Sequence, residues 1–175
     1  MNLEYIYRQM VRVLHGDVTC INEKGEIEAC YGDMAAHSNP LFTDPEFLQD
    51  ICSRKMRDYP EIFCENDTIF YAVISLNDRF SNSVGRKIIA GPVSVEKRTK
   101  ASEHYLMEHH RISDTTGFRL SFCELKVLGS GILMLYHMIT GKELTLNDLW
   151  QKNGIQETDI IEVRGRVSNT IFERQ

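Results

Sequence analysis

Lys87-Ile-Ile-Ala-Gly-Pro-Val-Ser94 reads as a short buried strand, stopped by Gly91-Pro92 and leading into a helix. A brief apolar run bounded by turn residues is a strand signal, and proline cannot donate to a sheet ladder. A strand that hands the chain to a helix, instead of to a catalytic loop, builds a wall. Arg86 to Ala90 is therefore taken as the last strand of a sheet. Upstream, Glu61 to Cys64 and Ile69 to Leu76 form a hairpin across Glu65-Asn-Asp67, and Asp17 to Ile21 pairs with Ile27 to Tyr31 around Gly25. Helices flank these strands. Leu3, Ile6, Tyr7, Met10, Val11 and Leu14 recur at helical spacing, with Gly16 as the stop. Asp44-Pro45 caps a second helix that runs to Asp58. The expectation is an α+β domain with an antiparallel five- or six-stranded sheet and helices on at least one face. Ile69, Phe70, Ile88 and Ala90 are expected to be buried.

The carboxy-terminal third reads as helical. Arg98 to His110 is one helix, and Leu120 to Ile139 another, opened by the capping-box pattern Ser121-Phe-Cys-Glu124 and closed by Thr140-Gly141. Thr145 caps a short helix carrying Leu146, Leu149 and Trp150. From Thr158, Ile160, Val163, Val167 and Ile171 form an apolar seam. In order and spacing these segments resemble the amino-terminal sensing domain of AraC-type bacterial transcription regulators, of the kind with a GAF- or PAS-like fold. The resemblance implies a sensory domain over 1–154 and a linker helix over 155–175, leading toward helix-turn-helix units that this chain does not contain. It also implies an unknown small-molecule ligand and a homodimer, with DNA bound only through the missing units.

Composition agrees with one soluble cytoplasmic domain. In 175 residues, 42% are apolar, enough for one substantial core. A net charge of −5 argues against a chain that itself grips a phosphate backbone. The longest uncharged apolar stretch, Gly131 to Tyr136, is far below the roughly 20 residues of a membrane span, and Met1-Asn-Leu-Glu places an acid where a secretory leader carries base. Five cysteines, at 20, 30, 52, 64 and 123, show no CxxC pair and no metal spacing. They read as free thiols, with Cys20 and Cys30 brought opposite each other if their hairpin loop has three residues.

No enzymatic motif survives. Gly129-Ser-Gly131 lacks the third glycine of a dinucleotide loop and sits inside a helical pattern, where small residues serve close packing. His104, His109 and His110 miss metal-ligand spacing and read as a polar helix face. No metal, cofactor or catalytic residue is expected, and the chain is read as a non-enzyme. In a GAF- or PAS-like domain the sheet and its covering helices enclose the ligand, so pocket residues alternate along strands. Ile69, Tyr71 and Val73 share one face; Phe70, Ala72 and Ile74 share the other. Tyr31, Tyr71 and Arg86 are the candidate polar contacts to a ligand, and His37 the candidate lid. Ile6, Met10, Ile160, Val163 and Val167 are the candidate dimer contacts. The competing reading is a ligandless dimerisation module.

Overall fold

Residues with two buried faces occupy the centre of the sheet, and those with one occupy its edges. The computed structural model describes residues 1–34, 38–76, 85–112 and 118–156. Its elements run α1 (Leu3–Leu14), β1 (Val18–Ile21), β2 (Ile27–Tyr31), α2 (Pro40–Thr43), α3 (Pro45–Ser53), β3 (Glu61–Glu65), β4 (Ile69–Leu76), β5 (Arg86–Ser94), α4 (Lys100–His109), α5 (Leu125–Thr140) and α6 (Leu146–Lys152). The five strands form one sheet in the order β2-β1-β5-β4-β3, every neighbouring pair antiparallel. This is the α+β architecture expected. Ile69, Phe70, Ile88 and Ala90 are all buried.

Side chains alternate along β4 and β5, so each face gathers its own core. Val18, Phe70, Ala72, Ile74, Ile88 and Ala90 lie under α1, α5 and α6, against Met10, Leu14, Ile132 and Trp150. Ile21, Ile69, Tyr71, Val73 and Ile89 lie on the other side, against Ile51 of α3 and Leu106 of α4. Gly129 and Gly131 let three helices meet. A Cβ on Gly129 would stand 2.8 Å from the Trp150 ring, and one on Gly131 would stand 2.7 Å from Leu14. The two glycines thus admit α6 and α1 to α5, as close packing requires.

Several boundaries differ from the sequence reading. β5 continues through Gly91-Pro92 to Ser94, because the register against β4 shifts between Phe70 and Ala72 and the ladder needs no donor from proline. Gly91, at φ 126°, tolerates no side chain there: a Cβ would lie 2.7 Å from the Phe70 carbonyl oxygen. α3 stops at Ser53, not Asp58. Arg54 turns extended, and the Asp58 carbonyl accepts from the Tyr136 hydroxyl of α5, drawing the chain across the molecule. The capping box at Ser121 does not form. Ser121 and Cys123 are engaged through their backbones with Ser94, extending the sheet by a bridge, and α5 begins after Glu124. At the end of α1 the left-handed residue is His15, at φ 57°. Gly16 serves instead for close approach to Val93. Thr145 and Asp148 do form a reciprocal cap on α6, and Gly141 ends α5 in the left-handed region.

The β1–β2 hairpin corrects the cysteine pairing. Its three-residue loop is closed by Asn22 and Glu26, a register that sets Cys20 against Glu28, and the bulge that follows moves the pairing by one, so Cys20 faces Ala29 and Cys30 faces Thr19. That one-residue offset puts the two thiols on opposite faces of the sheet. Burial pushes each of them up to about 11.

Candidate ligand-binding cleft

Arg8 and Arg12 stand at i and i+4 of α1 and so share one helix face, and His15, the left-handed residue that ends the helix, follows them. They form one wall of a cleft of about 690 Å³; the end of β2 and the segment Phe118 to Ser121 supply the others, and Pro92 of β5 also contributes. That volume lies in the range of about 300–1,000 Å³ usual for small-molecule sites. Apolar surface comes from Val11, Met34, Pro92 and Phe118, and an aromatic ring from Tyr31.

The charges in the cleft are unequally available. Arg8 pairs with Glu4 at 3.0 Å and lies 5.1 Å from the centre of the Tyr31 ring. Asp17 is 1% exposed: its carboxylate accepts from Asn39 Nδ2 at 2.9 Å and from the Met34 backbone N–H at 3.2 Å. Burial raises its pKa against the pull of those bonds. Gly32 packs so tightly on Asp17 that a Cβ would lie 1.9 Å from its Oδ1. Asp17 is therefore a structural anchor that pins the chain after β2 to the start of β1. The side chains of Arg12 and Arg119 make no hydrogen bond or ion pair among the described residues. Glu4 offsets Arg8, while the donors to Asp17 are neutral, so the remaining fixed charges are those two cations against Asp17 and Asp33.

The sequence-predicted contacts are not brought together. Tyr31 lines the cleft. Tyr71 is fully buried on the opposite core and donates its hydroxyl to Glu65 Oε1 at 2.8 Å. Arg86 is bound at the other end of the strands by both carboxylate oxygens of Glu28, each at 2.9 Å. His37 lies outside the described residues. Neither alternating set on β4 lines the cleft. Among the proposed dimer contacts, Met10 is only 4% exposed and belongs to its own core, with Ile6 packed against it. Ile160, Val163 and Val167 lie outside the described residues.

A second polar cluster was missed because its members are distant in sequence. His110 is no surface histidine: its ring is buried, with Nδ1 2.9 Å from Asp44 Oδ2 and Nε2 2.7 Å from Glu65 Oε2. Burial lowers its pKa, but the bonds to Glu65 and Asp44 outweigh this and hold it above the ordinary value. Asp44 is opposed by burial too, yet the His110 bond and the Phe47 N–H bring it below the usual carboxylate value. The same Asp44 caps α3, so the ion pair ties α3, β3 and the end of α4 together. A group this enclosed holds the fold and has no access to a substrate. His104 and His109 are exposed, as expected of a polar face. Among the described residues, no group of three or more His, Cys, Asp or Glu side chains is placed to hold a metal ion, and no helix is long and apolar enough to cross a membrane.

No protein-family model, no curated protein and no solved structure matches this chain.

Proposed function

We propose that this chain is the ligand-responsive sensing domain of a cytoplasmic transcription regulator of the AraC type, with the cleft beside α1 as its signal site. The assignment to regulators rests on the order of sequence segments. The sensing role rests on the cleft and on where its walls lead. One wall is α1, which packs on α5 through Leu14 and Gly131. Another is the 118–121 segment, whose backbone is tied to β5 at Ser94 and which runs directly into α5. A ligand touching both walls acts on the same helix from two sides. Occupancy then biases α5, and with it the segment beyond α6, provided the ligand prefers one arrangement over another.

DNA is contacted, in this reading, by helix-turn-helix units outside this chain. Two copies associate through residues at the ends of the domain. α1 offers Leu3 and Val13, which are 39% and 47% exposed, in place of the buried Met10. Ile160, Val163 and Val167 of the 155–175 segment, which lie outside the described residues, are the further contacts proposed from the sequence.

Thermal melting of the purified chain against a metabolite panel tests the sensing role. A ligand at a hundredfold excess over its Kd raises stability by about 2.7 kcal/mol. Ser121→Trp, which fills the cleft, is expected to abolish that shift. A panel with no shifting compound, or a shift untouched by Ser121→Trp, removes the sensing role from this cleft.

A further inference from the structure

We infer that the cleft takes an organic monocarboxylate with an apolar or aromatic body, held at its head by Arg12 and Arg119. The inference deepens the sensing role proposed above and rests on it. Two guanidinium groups line the cleft, one from a helix and one from a loop, and neither has a partner within the described residues. Arginine presents a planar fork of donors that matches a carboxylate in two parallel bonds. Such a bond is about twice as strong as a neutral one, and it is oriented, so the head group fixes the pose.

Local charge decides between anions. Glu4 offsets Arg8, whereas Asp17 takes its hydrogen bonds from neutral donors, Asn39 and the Met34 N–H, which do not cancel its charge. Arg12 and Arg119 thus stand against the carboxylates of Asp17 and Asp33, and the cleft carries no large excess of either sign. A carboxylate carries one negative charge, whereas a phosphate monoester carries roughly 1.5 to 2 at neutral pH. A monoanion held by the two guanidinium groups adds one negative charge beside Asp17 and Asp33; a dianion adds nearly two and is repelled the more by them. The rest of the cleft is suited to carbon: Val11, Met34, Pro92 and Phe118 supply apolar wall and Tyr31 an aromatic ring, already flanked by Arg8. The bland explanation for Arg12 is a basic side chain favoured by the carboxy-terminal end of α1. It covers Arg12 alone, since Arg119 belongs to no helix.

The test uses titration calorimetry and melting of the full chain with benzoate, octanoate, phenyl phosphate, benzyl alcohol and benzamidine. Benzoate or octanoate is expected to bind at least tenfold tighter than phenyl phosphate, with benzyl alcohol and benzamidine weaker still. Arg12→Gln and Arg119→Gln are each expected to weaken the carboxylate about tenfold or more, while the melting temperature without ligand stays within a degree or two. Equal binding of benzyl alcohol, stronger binding of phenyl phosphate, or carboxylate binding unchanged in both variants overturns the inference. So does the absence of any carboxylate binding at millimolar concentration. The sensing role fails separately. A neutral or cationic ligand lost in Ser121→Trp would remove the monocarboxylate and keep the sensor; no ligand of any class would remove both.

Discussion

His110 shows how a buried charge becomes a pH-dependent fastening. Its pKa in the fold is raised, so the protonated ring contributes stability that is complete below its unfolded value of about 6.5 and is lost as pH rises through the folded value. Asp44 works in the opposite sense. Its pKa is lowered, so its contribution is present above the unfolded value of 3.8 and is lost as pH falls through the folded one. Between those limits the cluster is intact. Replacing His110 by Gln leaves the buried Asp44 and the half-buried Glu65 without their cation, which costs up to roughly 3 kcal/mol in this window, the low end for a buried pair. Chemical denaturation at a series of pH values checks both points. The wild-type chain should lose stability as pH climbs past 6.5, and His110→Gln should be weaker and flatter there. A variant with the same slope would show that His110 is not the titrating group. None of this was legible in the sequence. Asp44 and Glu65 lie 66 and 45 residues from His110, so no spacing pairs them. Arg119 was hidden for the same reason. Arg8 and Arg12 were more accessible: their i, i+4 spacing is readable, but the apolar stripe of the same helix drew the interpretation.

Elements were legible where local chemistry acts alone. The periodicity of α1, the Asp44-Pro45 start of α3 and the Thr145 cap of α6 each rest on residues within one turn, and the structure places them where the sequence does. Boundaries set by partners were not. The Ser121 pattern is a good capping box by itself, yet its backbone is committed to Ser94 of another element. The bulge in the β1–β2 hairpin is likewise a choice of register that alternation cannot show. Helix packing gives the sharpest test at this level. In an exposed helix, Gly→Ala gains about 1 kcal/mol from propensity. At Gly129 the added methyl meets Leu146 and the Trp150 ring, both at 2.8 Å, and a rigid ring inside a core cannot yield as a chain end can. Overpacking of this kind costs typically 1–3 kcal/mol. Gly129→Ala is therefore expected to be destabilised by about 1 kcal/mol or more in equilibrium unfolding, with a change in Trp150 fluorescence. Trp150 is the single tryptophan, so the signal reports α6 directly. A stabilised variant would mean that α6 is not held against α5 as described.

For the whole molecule, the open question is how much of its apolar surface one copy covers. The sheet is sandwiched: α1, α5 and α6 close one face, and α3 and α4 the other. The first helix is thus used twice, burying Tyr7, Met10 and Leu14 inward while leaving Leu3, Tyr5 and Val13 outward. α5 does the same with Val127, Met134 and Met138. Scattered exposed apolar residues are ordinary in a monomer, but contiguous patches mark interfaces. A second copy is the proposed occupant of the exposed side of α1 at Val13, with Ile160, Val163 and Val167 as the further contacts proposed from the sequence. Val13→Lys separates this from a simple capping role, because Val13 is 47% exposed and its replacement disturbs no core contact. Sedimentation equilibrium at micromolar concentration should find a dimer for the wild-type chain. Val13→Lys combined with Val163→Lys should shift it toward monomer by tenfold or more in Kd, with the melting temperature of dilute protein unchanged. A wild-type monomer, or a dimer indifferent to both lysines, would leave α1 as a helix docked only on its own sheet.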